Sequence, residues 1–264
     1  MKIYDQHVHT KYSPDSKAII EDYLILAIEK RNRYFVSTDH VDYDMVSSHI
    51  NSITDFHTKQ NELETLKLKY PNITILDGIE MGYRHDYVDE MKEILKKYHF
   101  DIVLLSVHDN GIIDFYRKDH ALKYGLINTM NIALDYILES ITNIIDYNVL
   151  AHIDYTFRTI YSCDNSLHIN LFENQLIKIF QKLIEDKKTL EINTKVQQAL
   201  VDDHLIYILK LYKSVGGERL TISSDCHDVR RFEEYQDKYI DIIKKYGFNK
   251  LVYFVNKEEY FIDI

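Results

Sequence analysis

Short apolar runs rich in β-branched residues recur along the chain, separated by longer stretches with apolar residues every three or four positions. The runs span residues 3–10, 35–40, 73–80, 102–108, 149–152, 190–193, 220–227 and 251–255. Two of the longer stretches have an apolar helical face, formed by Val88, Met91, Leu95 and Tyr98 in one and by Phe172, Leu176, Ile179, Phe180 and Leu183 in the other. Alternating strands and helices predict a parallel sheet with helical crossovers, and seven or eight units favour a closed or distorted barrel over an open sheet.

Residue types that bind metals end six of these runs. In a parallel α/β barrel the C-terminal ends of the strands converge on one face, so residues far apart in sequence meet there. Because residues i and i+2 of a strand face the same way, His7 and His9 form one pair and the two residues that flank Cys226 form another. Cys226 itself then points away and is interpreted as a packed small residue. The predicted ligands are His7, His9, Asp15, His40, Glu80, His108, His152, Asp225 and His227.

This ligand set predicts more than one metal ion. Asp15 completes the set if loop 12–16 folds over the strand ends, whereas the sixth run, which ends at Asn193, has no evident ligand. Imidazole and carboxylate together suit zinc, manganese or iron better than calcium or magnesium. Nine ligands exceed what one ion uses, so we expect two or three divalent ions. Three ions and three carboxylates would leave a local charge of about +3, which attracts a phosphate dianion.

Composition and charge narrow the possible partners. The 264 residues, 45% of them hydrophobic, can bury one large core, and no linker interrupts them, so we expect a single domain over 1–264. A net charge of -10 argues against nucleic-acid binding. Two cysteines, Cys163 and Cys226, provide neither a disulfide framework nor a thiolate zinc site. With no long apolar run, we expect a cytoplasmic protein without a membrane partner. The sequence carries no signal for an oligomeric state.

The ligand pattern resembles the PHP (polymerase and histidinol phosphatase) family. Asp at position 15, the sequence Ser106-Val107-His108 and the chain length resemble its histidinol-phosphate phosphatase branch. The resemblance implies a distorted (β/α)7 TIM-like barrel that hydrolyses L-histidinol phosphate to L-histidinol and phosphate in histidine biosynthesis. The family motifs are matched by His7, His9 and Asp15, by Asp39-His40, by His108 and by Asp225-Cys226-His227, with Glu80 and His152 at the remaining ligand positions.

Ester hydrolysis also needs groups that bind the phosphate and protonate the leaving alkoxide. Metal ions can supply the nucleophile by lowering the pKa of bound water. Arg158, in the loop after the fifth run, is the first candidate for a bidentate phosphate clamp, and Arg117 is the second. Asp42 and Asp154 are candidate acids for the leaving group. The substrate is expected to be a small phosphate ester, and its amino end could be lined by Tyr83, Asp109, Tyr155 and Asn193.

Three alternatives remain open. A PHP phosphatase could act on phosphotyrosyl protein or on a nucleotide ester, and a shallow open site would favour the protein substrate. A metal-dependent amidohydrolase shares an early His-x-His, but it usually requires a carboxylated lysine at a central strand end, and no lysine ends the third, fourth or fifth run. A non-catalytic scaffold ranks last because the ligand set is complete.

Overall fold

The computed structural model describes residues 4–195 and 201–264. Its strands are β1 (Tyr34–Asp42), β2 (Ser52–Ile53), β3 (Thr74–Gly82), β4 (Ile102–Ser106), β5 (Val149–Leu150), β6 (Thr189–Asn193), β7 (Leu220–Ser223), β8 (Lys250–Val255) and β9 (Glu258–Asp263). Its α-helices are α1 (Ile20–Glu29), α2 (Phe56–Lys69), α3 (Val88–Lys97), α4 (Lys118–Tyr124), α5 (Leu126–Asn143), α6 (Tyr155–Cys163), α7 (Glu173–Glu185), α8 (Ile206–Ser214) and α9 (Gln236–Lys245).

The main sheet has the order β2-β1-β3-β4-β5-β6-β7 and is parallel except for β2, which pairs antiparallel with β1. The N-terminal segment joins its two sides. Val8 forms a parallel bridge with Cys226 after β7, and the Val8 carbonyl accepts a hydrogen bond from the Thr38 amide of β1 at 2.8 Å. The curled sheet with this segment forms the distorted barrel that the sequence predicted. Residue 3 of the first run lies outside the described residues.

Burial follows the predicted periods. All five residues of β4 and all five of β6 are buried, as expected for parallel strands covered on both faces. In α3 the buried residues are Met91 and Leu95, while Tyr98 follows the end of the helix. The face predicted in α7 is confirmed as well, because its buried residues are Leu176, Ile179, Phe180 and Leu183.

The eighth run is not a barrel strand. It forms β8, which pairs antiparallel with β9 in a separate hairpin. The two residues between them, Asn256 and Lys257, have φ of +54° and +60°. Two consecutive positive φ values are typical of a tight hairpin turn, which joins neighbouring antiparallel strands and not parallel ones. The barrel therefore has seven units. No helix among the described residues has both the length and the apolar content to span a bilayer.

Candidate metal centre

The C-terminal ends of the strands bring the predicted ligands together around the Glu80 carboxylate. Glu80 stands near the end of β3 and is 1% exposed. Its Oε2 atom lies 3.2 Å from His7 Nε2, 3.3 Å from His9 Nε2 and 3.0 Å from His40 Nδ1. The alternation of side chains in the first run therefore aims both of its histidines at one point.

The other Glu80 oxygen faces two further histidines. Its Oε1 atom lies 3.1 Å from His108 Nε2 and 2.8 Å from His152 Nε2. These rings follow β4 and β5, the next two strands in the sheet. One carboxylate thus has five imidazole nitrogens, contributed by four strand ends, within 3.3 Å.

Asp225 and Asp15 complete the opposite side of the cluster. Asp225 Oδ1 lies 3.4 Å from His9 Nε2 and 3.6 Å from His227 Nδ1. Loop 12–16 does fold over the strand ends, because Asp15 Oδ2 lies 3.0 Å from His227 Nε2 and 3.7 Å from His40 Nε2. Asp225 has a φ of +49°, a left-handed conformation that is uncommon outside glycine and concentrates at functional sites.

Unpaired buried atoms in this cluster fit a metal site. His7 Nε2, His9 Nε2, His40 Nδ1 and Glu80 Oε2 are buried and form no hydrogen bond among the described residues. Leaving buried polar atoms unpaired is costly, and a cation coordinated by their lone pairs removes that cost. Four sets of three donors have ligand atoms within 4.8 Å of one another: His9–His40–His227, His7–His152–Asp225, His7–His9–Glu80 and His40–Glu80–His108.

The charges also favour bound cations. Burial acts to raise the pKa of Glu80 and of Asp225, but the neighbouring cationic groups hold both pKa values well below the usual range. Burial acts to lower the pKa of His40, yet Glu80 and Asp15 raise it to about 10. Burial and the adjacent His40 lower the pKa of His9 to about 4. The carboxylates therefore remain ionised and need positive charge, which either protons or divalent ions provide.

Two carboxylates outside the predicted ligand set contact the imidazole rings of His7 and His108. Glu191 Oε1 lies 2.8 Å from His7 Nδ1, and its Oε2 accepts a hydrogen bond from the His152 amide at 2.7 Å. Asp42 Oδ1 lies 2.8 Å from His108 Nδ1. The role of Glu191 was missed because the sixth run was searched only for ligands. Strand alternation could have found it, since Glu191 faces the same way as Asn193.

A cavity of about 210 Å³ opens from the cluster. Besides several of the predicted ligands, its lining includes Asp109, Asp114, Tyr116, Tyr155 and Lys195. Lys195 Nζ lies 3.3 Å from Oδ1 of Asp225, one of the predicted ligands. The sequence reasoning missed Lys195, and its position two residues after Asn193, in the loop beyond β6, was the available signal.

A model of the PHP domain family matches residues 5–195, more than half of the chain. The chain belongs to the PHP family. Its relatives include a Clostridium acetobutylicum protein named "Probable histidinol-phosphatase", 29% identical over 85% of this chain and 86% of that protein. The histidinol-phosphatase of Lactococcus lactis subsp. lactis is 26% identical over 96% of this chain and 95% of the relative.

A solved structure resembles nearly the whole fold. It is the crystal structure of the histidinol phosphate phosphatase from Lactococcus lactis subsp. lactis, complexed with zinc, L-histidinol and phosphate. It superposes with a TM-score of 0.88 at 25% identity and covers 98% of this chain and 99% of its own. The similarity therefore extends over nearly the whole chain.

The residues predicted to act on the substrate occupy different places in this PHP barrel. Asp154 accepts two hydrogen bonds from Arg158, at 2.9 Å from Nε and 2.7 Å from Nη2, and Arg158 lines a second cavity beside the metal cluster. Arg117 is exposed, pairs with Asp119 at 2.7 Å and lies outside the lining of both cavities. The Asn193 amide donates to Asp225 Oδ2 at 3.3 Å. Their proposed roles in substrate binding or catalysis stay predictions.

Two other interpretations can be compared with the structure. Cys226 is buried in an apolar cluster that includes Tyr23, Phe35 and Phe232, so it packs away from the metal cluster as expected. Tyr83 is buried and its hydroxyl donates to Glu139 at 2.7 Å, so it does not line the cavity that opens from the metal cluster.

Proposed function

We propose that this protein is a metal-dependent phosphatase that hydrolyses L-histidinol phosphate to L-histidinol and phosphate in histidine biosynthesis. The observation that carries the proposal is the cluster of buried, unpaired imidazole and carboxylate atoms around Glu80, at the floor of a small cavity. The similarity to a Lactococcus lactis phosphatase that holds zinc, L-histidinol and phosphate supports the choice of substrate.

We infer two or three divalent ions of zinc, manganese or iron. Six histidines and three carboxylates provide the donors, and Glu80 occurs in two of the four donor sets. When bound, such ions lower the pKa of coordinated water and neutralise charge on the phosphoryl group. The protein residues hold the rings in place: Glu191 orients His7, and Asp42 orients His108.

Lys195 and Arg158 are the cationic residues proposed to bind the phosphate. Lys195 lines both the cavity that opens from the metal cluster and the cavity that Arg158 borders. Asp154 uses two of the five N–H donors of Arg158, and it holds the planar guanidinium in one orientation. The remaining donors form no hydrogen bond to the described residues, so they can bind a phosphate oxygen and Arg158 keeps its proposed role.

Asp114 is the residue proposed to bind the substrate ammonium. Of the aspartates in the cavity, Asp109 pairs with Arg84, and Asp42 contacts His108 at 2.8 Å. The Asp114 carboxylate accepts a backbone hydrogen bond from Tyr116 at 2.9 Å and forms no ion pair with any other described residue. An ammonium group would supply the missing countercharge, and the neighbouring tyrosines offer flat surfaces for the imidazole.

A panel of phosphate monoesters tests this function. The protein, supplied with zinc or manganese, is assayed with L-histidinol phosphate, a phosphotyrosyl peptide and a nucleotide monophosphate. We expect the highest kcat/KM for L-histidinol phosphate, by about 10²-fold or more, because desolvated polar recognition discriminates strongly between substrates. If kcat/KM for the peptide or the nucleotide is equal or higher, the proposed substrate is wrong and that class of phosphate ester takes its place.

A further inference from the structure

Lys59 is a completely buried lysine close to the metal cluster, and no step of the proposed reaction uses it. It projects from α2 between β1 and β3, where its Nζ donates to the Ser37 carbonyl at 3.2 Å and to the Gly78 carbonyl at 2.9 Å. It also pairs with Asp39 at 3.2 Å and with Asp77 at 2.9 Å. Burying a charged lysine among four acceptors costs desolvation free energy, which suggests that Lys59 has a function.

The Asp39 carboxylate connects Lys59 to the loop that follows the first ligand pair. Its Oδ1 atom accepts a hydrogen bond from the Thr10 amide at 2.7 Å and lies 2.9 Å from Ser13 Oγ. An ammonium and an amide are donors only. The Asp39 carboxylate therefore acts as an acceptor. The Ser13 hydroxyl, which lies within hydrogen-bond distance, must donate its one proton to Asp39.

The hydrogen bonds of Ser13 then fix the proton on His9. A hydroxyl has one donor and two acceptor sites. With its proton on Asp39, Ser13 Oγ accepts from the His40 amide at 3.2 Å and faces His9 Nδ1 at 3.0 Å. The second acceptor site is satisfied only if His9 Nδ1 carries hydrogen. His9 Nε2 is then a free lone pair, and it faces Glu80 and the centre of the ligand cluster.

We propose that Lys59 is a positioning residue that acts through Asp39 and Ser13 on the metal ligand His9. The chain Lys59–Asp39–Ser13–His9, here called the relay, keeps His9 in the tautomer that can bind a metal ion. The inference rests on the proposed metal site but not on the choice of substrate. Removing a residue that hydrogen-bonds to a metal-binding histidine typically weakens the metal affinity by about 10- to 100-fold.

The test compares matched variants of the full-length protein. Ser13→Ala removes the hydroxyl of the relay. Ser16→Ala is its control, because Ser16 is a buried serine of the same loop whose hydroxyl contacts only backbone groups among the described residues. These are the carbonyls of His9 and His227, at 3.2 and 3.0 Å, and the amide of Ala18, at 3.2 Å. The double variant Lys59→Met/Asp77→Asn removes one positive and one negative charge together. Asp39→Asn provides a second break in the relay if the double variant does not fold.

Zinc affinity is measured by competition with a chromophoric chelator, and the His9 tautomer by long-range ¹H–¹⁵N spectra. We expect Ser13→Ala and each folded variant at Asp39 or Lys59 to bind zinc about 10- to 100-fold more weakly and to populate the Nε2–H form of His9. The zinc affinity of Ser16→Ala should remain within about threefold of the wild-type affinity.

The relay is overturned if Ser13→Ala, Asp39→Asn or the double variant Lys59→Met/Asp77→Asn folds, binds zinc with wild-type affinity and keeps the His9 tautomer unchanged. An equal loss in Ser16→Ala also overturns it, because the effect would then belong to the loop. A wild-type protein that binds no zinc contradicts the proposed metal-dependent function instead, so the two failures are distinguishable.

Discussion

Replacing Glu80 by glutamine is the sharpest perturbation of the proposed metal cluster. Glutamine has nearly the same shape but no charge, and its amide group would face imidazole nitrogens that now lie within 3.3 Å of the carboxylate. Because Glu80 belongs to two of the four donor sets, the change should remove at least one bound ion.

The expected magnitude follows from what a catalytic ion contributes. A bound ion stabilises the transition state by several kcal/mol, and a loss of about 4 kcal/mol corresponds to about 10³-fold in kcat/KM. Elemental analysis and steady-state kinetics with L-histidinol phosphate measure the two effects on the same preparation. Circular dichroism checks that the variant is folded.

Glu64→Gln is the matched control, since Glu64 lies exposed on α2 and, among the described residues, pairs only with Lys67 at 2.8 Å. We expect its metal content and kcat/KM to equal those of wild type. The reasoning about Glu80 is refuted if Glu80→Gln keeps the wild-type metal content and loses less than about tenfold in kcat/KM, a loss worth about 1.4 kcal/mol.

The remaining predictions concern the substrate and the protons. Arg158→Ala should lower kcat/KM for phosphate esters by about 10²-fold or more with metal content unchanged, and Arg158→Lys should restore only part, because it loses the planar fork; unchanged kinetics in the alanine variant would contradict the clamp. Lys195→Met should raise KM for every phosphate ester tested, and an unchanged KM would exclude contact with phosphate. Asp114→Asn should lower kcat/KM for L-histidinol phosphate by about tenfold or more but not for a phosphate ester without an amine, a split that kinetics with both esters detects. Without metal the pKa of His40 is raised to about 10, so zinc must displace a proton from His40 at pH 7. The apparent zinc affinity should therefore rise about tenfold per pH unit for each proton displaced. A zinc affinity that stays constant between about pH 6 and pH 9 would contradict this.

The ligands were predictable because strands impose regular geometry. Parallel strands end on the same face, and alternation pairs residues two apart, so His7 and His9 could be placed together from sequence alone. The same rule applied to the sixth run would have found Glu191. Lys195 could not be placed in this way, since a loop has no period that predicts where its side chains point.

Contacts with near neighbours in sequence explain the positions of Arg117 and of the last apolar run. Arg117 has Asp119 two residues away, and this short-range ion pair at the start of α4 holds it at the surface. The last apolar run reads like the others by composition, but the turn at Asn256 and Lys257 makes it half of a hairpin. In both cases a near neighbour in sequence decided the conformation.

Elemental analysis of the purified protein tests whether nine side chains hold more than one divalent ion. The protein is saturated with zinc or manganese, desalted and analysed for metal and protein content. We expect two or three ions per chain, held by the imidazole and carboxylate donors around Glu80. One ion or fewer per chain would contradict it.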